Sequence, residues 1–201
     1  MTFPRSFRTR KNAAIMWLFA LGIIACSPKK EYIITDAYVN KEAGGPASAS
    51  SKNTLSAEDK KYFASKMNTS ESQISNYNLY SFIREWEGSK YSPSGTSKKE
   101  ISSAGLIAAL YEKVYNRKVS NMLVDLYADK RIKHNTSTEG LKEGDLLFFS
   151  SAKDRPVTYV GIYLTNAHFF VASPRGGAAK IFDFNKGVWK KEFVTAGRFQ
   201  Q

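Results

Sequence analysis

The apolar period of this chain changes at Leu141, and that change narrows the fold more than any other feature. Upstream the spacing is helical. Ser56, Glu58 and Asp59 read as the N-cap and acidic first turn of a helix carrying Tyr62, Phe63 and Met67. Leu79, Phe82, Ile83 and Trp86 recur at helical spacing, and Gly88 is placed to end that segment. After a Ser, Pro and Gly loop over 89–97, a third helix is expected from about Ser102 to Asn116. Leu106, Ile107, Leu110 and Val114 form its apolar face, and Ala104, Gly105, Ala108 and Ala109 keep its first turns thin enough to pack closely on a sheet. A short helix around 121–128 precedes a polar loop over 130–140. From Leu141 onward the runs 146–149, 157–164, 168–172 and 179–184 are short, β-branched and aromatic, separated by turn signals at 154–156, 166 and 175–177. Helices first and strands last exclude an alternating βαβ chain. The expected class is α+β, with N-terminal helices packed on a C-terminal antiparallel sheet or small half-barrel.

The amino terminus has a different character. Arg5, Arg8, Arg10 and Lys11 precede an apolar run from Ala13 to Ala25, which as a helix spans about 20 Å and falls short of the ~30 Å a membrane crossing needs. A cleaved export signal over 1–25 is the expectation. Cys26 follows Ile23, Ile24 and Ala25, a context that resembles the lipobox of bacterial lipoproteins, in which the cysteine is diacylated and anchors the mature chain. Otherwise Cys26 is an incidental thiol. Residues 26–53, with Gly44, Gly45 and Pro46, read as a lipid-anchored flexible tether with a reach of about 30 Å, although the patch 32–39 could add a strand. The globular domain is expected over 54–201.

Composition prunes the chemistry. One cysteine and two histidines leave no material for the common His/Cys metal sites, so no metal and no cofactor is expected. The formal charge is +12, and removing the signal takes four basic residues and no acid, leaving a moderate basic excess. Lys98, Lys99, Lys130, Arg131, Lys133, Lys186, Lys190 and Lys191 are scattered through turns with no interleaved aromatic stripe, which argues against nucleic acid as a partner.

Several segments, in order, resemble the NlpC-type family of bacterial cell-wall cysteine peptidases, which have a papain-like core. Leu141 to Phe149 is similar to the family pattern L-x-x-G-D-L-x-F-F, Val160 to Leu164 to V-G-I-Y-L, and Phe169 to Ser173 lies where the family reads F-I-H-A-S. Tyr91 stands twelve residues before Ser103, the family's interval between a cleft tyrosine and the catalytic cysteine, with Gly95 between them. Trp189, Phe193 and Arg198 resemble the closing motif, so the likeness runs from about Leu79 to Phe199.

The resemblance implies a thiolate at a helix N-terminus, a histidine base and a polar residue that orients it. At those positions this chain has Ser103, Tyr159 and Val171. A serine hydroxyl needs a neighbouring base, and a neutral phenol is a poor one. His168 lies an odd number of residues from Val171 and is expected to point away from the cleft, while His134 falls in the polar loop. Ser102 and Ser103 also read as a helix cap, Asp145 as a turn former, and Tyr159 and Val171 as either core or groove lining. The expectation is therefore a catalytically inactive, lipid-anchored envelope protein, periplasmic or on the outer surface. It would bind peptidoglycan stem peptides or scaffold an envelope protein through a cleft at Tyr91, Ser102, Ser103 and Tyr159. The alternatives are an active wall hydrolase with Ser103 as nucleophile and a basic lipoprotein acting through charge alone.

Overall fold

The computed structural model describes residues 54–152 and 154–200; the expected signal, Cys26 and the tether lie outside the described residues. Helix α1 (Ala57–Lys66) starts where Ser56 Oγ accepts from the Asp59 amide, and α2 (Tyr77–Trp86) where the Asn76 side chain accepts from Leu79. Helix α3 (Ser103–Tyr115) is capped at one end by Ser102 and closed at the other by Asn116 in the left-handed conformation. Helix α4 (Leu123–Tyr127) is a single short turn that sinks Leu126 into the core.

One antiparallel sheet of six strands carries the rest, in the order β3 (Ile132–Asn135), β8 (Phe193–Phe199), β4 (Leu146–Phe149), β5 (Tyr159–Tyr163), β6 (His168–Ala172) and β7 (Ala179–Asp183). Four of these strands match the expected runs. The expected polar loop over 130–140 instead contains β3, which places His134 in a strand. Its Nε2 lies 2.9 Å from the Tyr127 carbonyl oxygen, and its ring packs between Tyr127 and Phe148. Strand β8 pairs with β3 and β4 at once, a non-local pattern.

Strands β4 and β6 are buried at every position, because both faces of the sheet are covered. On one face the helices pack Phe63, Leu79, Phe82, Leu106, Ile107 and Leu110 against Leu146, Phe148, Val160, Ile162 and Phe170. On the other face the connection from β7 to β8, which contains the short helix α5 (Trp189–Glu192), lays Phe184 and Trp189 over Leu147, Phe149, Phe169 and Val171.

Two short parallel strands, β1 (Lys90–Tyr91) and β2 (Glu100–Ile101), fix the loop before α3. The Tyr91 amide donates to Gly177, and Ser89 and Gly88 bond with Ala179, so this loop is stitched to the edge of the sheet. Gly95 sits so close to the opposing backbone that an added Cβ would lie 2.5 Å from the Glu100 carbonyl and the Ile101 nitrogen. Neither neighbour can swing aside as a side chain would. Gly95→Ala should therefore cost about 1 to 2 kcal/mol in urea denaturation. An unchanged midpoint would show that the loop can shift without loss.

Candidate functional site

The start of helix α3 lines a cleft of about 490 Å³ whose walls include Tyr91, Pro93, Ser102, Ser103, Met122, Val124, Arg155 and Thr158. The geometry follows from local causes. Ser102 Oγ accepts from the Gly105 amide at 3.0 Å, which fixes the first turn, and Gly105 lacks the Cβ that would crowd the Gly95 carbonyl at 2.9 Å. That close approach sets Ser103 at the first helical position, 5% exposed, where the aligned amides of a helix N-terminus favour negative charge. Ser103 Oγ makes no hydrogen bond to any described residue.

Of the residues expected to face a ligand, Tyr91, Ser102 and Ser103 line this one cleft, whereas Tyr159 is not among its walls. Tyr159 lies at the start of β5, half-buried against the far-face aromatic cluster. Its hydroxyl accepts from Ser151 Oγ at 3.2 Å, and Ser151 Oγ also lies 3.2 Å from Thr158 Oγ1. Burial, and secondarily the neighbouring Tyr159 phenol, push the Tyr91 phenol above its ordinary pKa, so it stays protonated at neutral pH and offers no base. Val171 is fully buried in the cluster that contains Phe149, Phe169 and Trp189.

Neither histidine substitutes for the absent base. His168 is buried in β6 with its Nδ1 2.7 Å from the Asn166 carbonyl oxygen, His134 is held at β3, and neither lines the cleft. No carboxylate lines it either, and Asp145 is occupied elsewhere by Arg198 and by the Lys142 amide. The site thus offers a buried serine hydroxyl, a neutral phenol and one cation. None of these groups is a general base at neutral pH.

Sequence reasoning missed Arg155, Thr158, Met122 and Val124 as cleft walls, and Ser151 as the partner of Tyr159. The segment 154–156 carried only a turn signal. Nothing in the local pattern placed that turn or the 121–128 helix beside Ser103. Ser173, two residues beyond Val171, is fully buried with a hydroxyl that has no partner among the described residues.

The sequence model of the NlpC/P60 family matches residues 88–198, more than half of the 201 residues. Two proteins of Haemophilus influenzae are similar to the chain. One, described as "Probable endopeptidase", is 27% identical over 114 residues, 57% of this chain and 68% of its own length. The other, described as "Probable endopeptidase NlpC homolog", is 24% identical over 133 residues, 66% of this chain and 68% of its own. A solved Staphylococcus aureus structure, described as similar to a lipoprotein of the NLP/P60 family, superposes with a TM-score of 0.52 at 23% identity. The match covers 74% of this chain and 43% of that one, so this chain spans less than half the length of that protein. At that identity the likeness carries the fold, helices on an antiparallel sheet, and no more.

Proposed function

The chain belongs to the NlpC/P60 family, and from that premise we propose that it is a cell-envelope protein whose cleft binds without cleaving. One observation carries the reading. The three positions at which the family resemblance calls for a thiol, an imidazole and an orienting polar group hold Ser103, Tyr159 and Val171, and no other base lines the cleft. The members of a catalytic triad act as a unit, and removing one costs nearly as much as removing all. A lone hydroxyl leaves no useful rate. The scaffold that formed the cleft is retained: the Ser102 cap, the Gly95 turn and the stitched Tyr91 loop.

The ligand in this reading is peptidoglycan or an envelope protein, and the protein acts while held to a membrane through lipidated Cys26. The basic n-region and the short apolar run before Cys26 support that anchor. Fatty-acid labelling that disappears in Cys26→Ala tests it, and equal label in both chains argues against it.

A hydrolase using Ser103 is the second reading, favoured by the endopeptidase names of the two relatives. Incubating the full chain with purified sacculi and stem peptides separates the two, with both cleavage and co-sedimentation followed. We expect no cleavage, and none on introducing Ser103→Cys alone, because the base position would still hold Tyr159. Cleavage by the natural chain that vanishes in Ser103→Ala would establish the hydrolase.

A further inference from the structure

We infer that the cleft docks an apolar peptide segment of a protein partner, and that this segment presents a carboxylate to Arg155. The inference rests on the non-catalytic reading above and names the occupant of that site.

The charge of the cleft points in one direction. Arg155 is the only charged residue among its walls, and its guanidinium has no ion-pair partner among the described residues. The other polar walls include the hydroxyls of Tyr91 and Ser103, and Asn121 adds an amide, whereas the Thr158 hydroxyl already donates to the Phe149 carbonyl at 3.3 Å and accepts from the Ser151 amide at 2.9 Å. A ligand ammonium would find no carboxylate here. A ligand carboxylate would find a guanidinium able to receive it in bidentate fashion, with hydroxyl donors around it.

The shape adds the apolar requirement. Four large hydrophobic residues are exposed among those described, and two of them, Met122 at 62% and Val124 at 66%, stand on the wall of this cleft. They are held there by structure. Leu126, fully buried, pins α4 to the core, and Leu123 and Tyr127 pack against the same core, which leaves the Met122 and Val124 side facing outward. Exposed apolar side chains held beside polar groups mark a surface for docking, since their burial against a partner is favourable and solvent gives them nothing. An apolar face next to an unpaired cation matches a peptide that combines large apolar side chains with an Asp, a Glu or a free C-terminus.

The test pans the full-length chain against a displayed random nonapeptide library in two formats, one with free C-termini and one with blocked ends. Selected peptides are then synthesised and measured by fluorescence anisotropy against the natural chain, Arg155→Gln and the pair Met122→Ser with Val124→Ser. Circular dichroism verifies that each variant is folded, as exposed positions allow. The expected result is enrichment of large apolar residues flanking a carboxylate. Affinity should fall about tenfold or more in each variant, and again when the peptide carboxylate is converted to an amide. Enrichment of basic peptides, no enrichment above an unrelated bait, or affinities unmoved by both variants would overturn the inference. Co-sedimentation with sacculi in the absence of peptide binding would overturn it too, while leaving the non-catalytic binding reading intact. Variant-sensitive peptide binding together with cleavage lost in Ser103→Ala would uphold the docking surface and overturn the non-catalytic reading.

Discussion

Trp189→Ala should cost about 3 to 5 kcal/mol of stability. Trp189 is 4% exposed and sits on the face of the sheet opposite α1, α2 and α3, where the short helix α5 carries it over the strands. Its ring stands edge-on to Phe149 at 5.2 Å and to Phe169 at 5.1 Å, and tilts onto Phe182 at 4.9 Å. Truncation would remove the buried area of the indole together with three ring pairs, each worth roughly 0.5 to 1.5 kcal/mol beyond area. Water would then reach the far side of β4 and β6. Urea unfolding should show a lower midpoint at unchanged slope, with a fall in Tm on the order of 10 °C for a domain of this size. A cost below about 1 kcal/mol would mean that the cluster collapses around the gap. The same cluster bears on function, because Val171, at the position of the orienting residue, is one of its members. Converting Val171 to a polar residue would bury an unpartnered group among Phe149, Phe169 and Trp189. The orienting position has become part of the core, so rebuilding a catalytic site there would act against the fold.

The helices and four of the strands were legible because their signals are local. Ser56 and Ser102 announce helix starts, Gly88 and Asn116 stand where chains turn, and the aromatic runs at 146–149 and 168–172 read as strands whatever surrounds them. Strand β3 was not legible, since Lys133, His134 and Asn135 are exposed and only its pairing with β8 makes that segment extended. The apolar pattern of β8 is broken by Gly197 and Arg198 although the strand runs through them, and its place between β3 and β4 is set by partners that lie far away in sequence. The run 146–149 does not alternate, which fits the burial of β4 on both faces, but nothing in the local pattern shows that Trp189 provides the second cover. The cleft was legible on its Tyr91 and Ser103 sides, where the spacing between them is diagnostic. It was not legible on the Met122, Val124 and Arg155 side, because those residues meet Ser103 only through tertiary packing.

Asp145→Ala should cost about 2 to 4 kcal/mol while leaving the cleft as it is. Asp145 follows Gly144, which holds φ +95°, a conformation that frees the turn to bring the carboxylate inward. There it is 4% exposed. It accepts from Arg198 Nε at 2.6 Å and Nη2 at 2.5 Å and from the Lys142 amide at 2.8 Å. Arg198 in turn donates to the Gly140 carbonyl at 3.0 Å, so one ion pair ties the loop before β4 to the end of β8. Breaking a fully buried pair costs about 3 to 5 kcal/mol. The Arg198 side chain is 47% exposed and would be rehydrated once freed, which brings the expectation to the lower range. A double-mutant cycle with Arg198→Ala should return an interaction energy of about 1 to 3 kcal/mol. Additive losses would instead mean that the turn bond to Lys142 carries the effect. None of these groups lines the cleft at Ser103, so ligand binding by the folded fraction of Asp145→Ala should match that of the natural chain. Impaired binding in that fraction would place the G-D-L turn in the binding site, although Asp145 is not among the cleft walls.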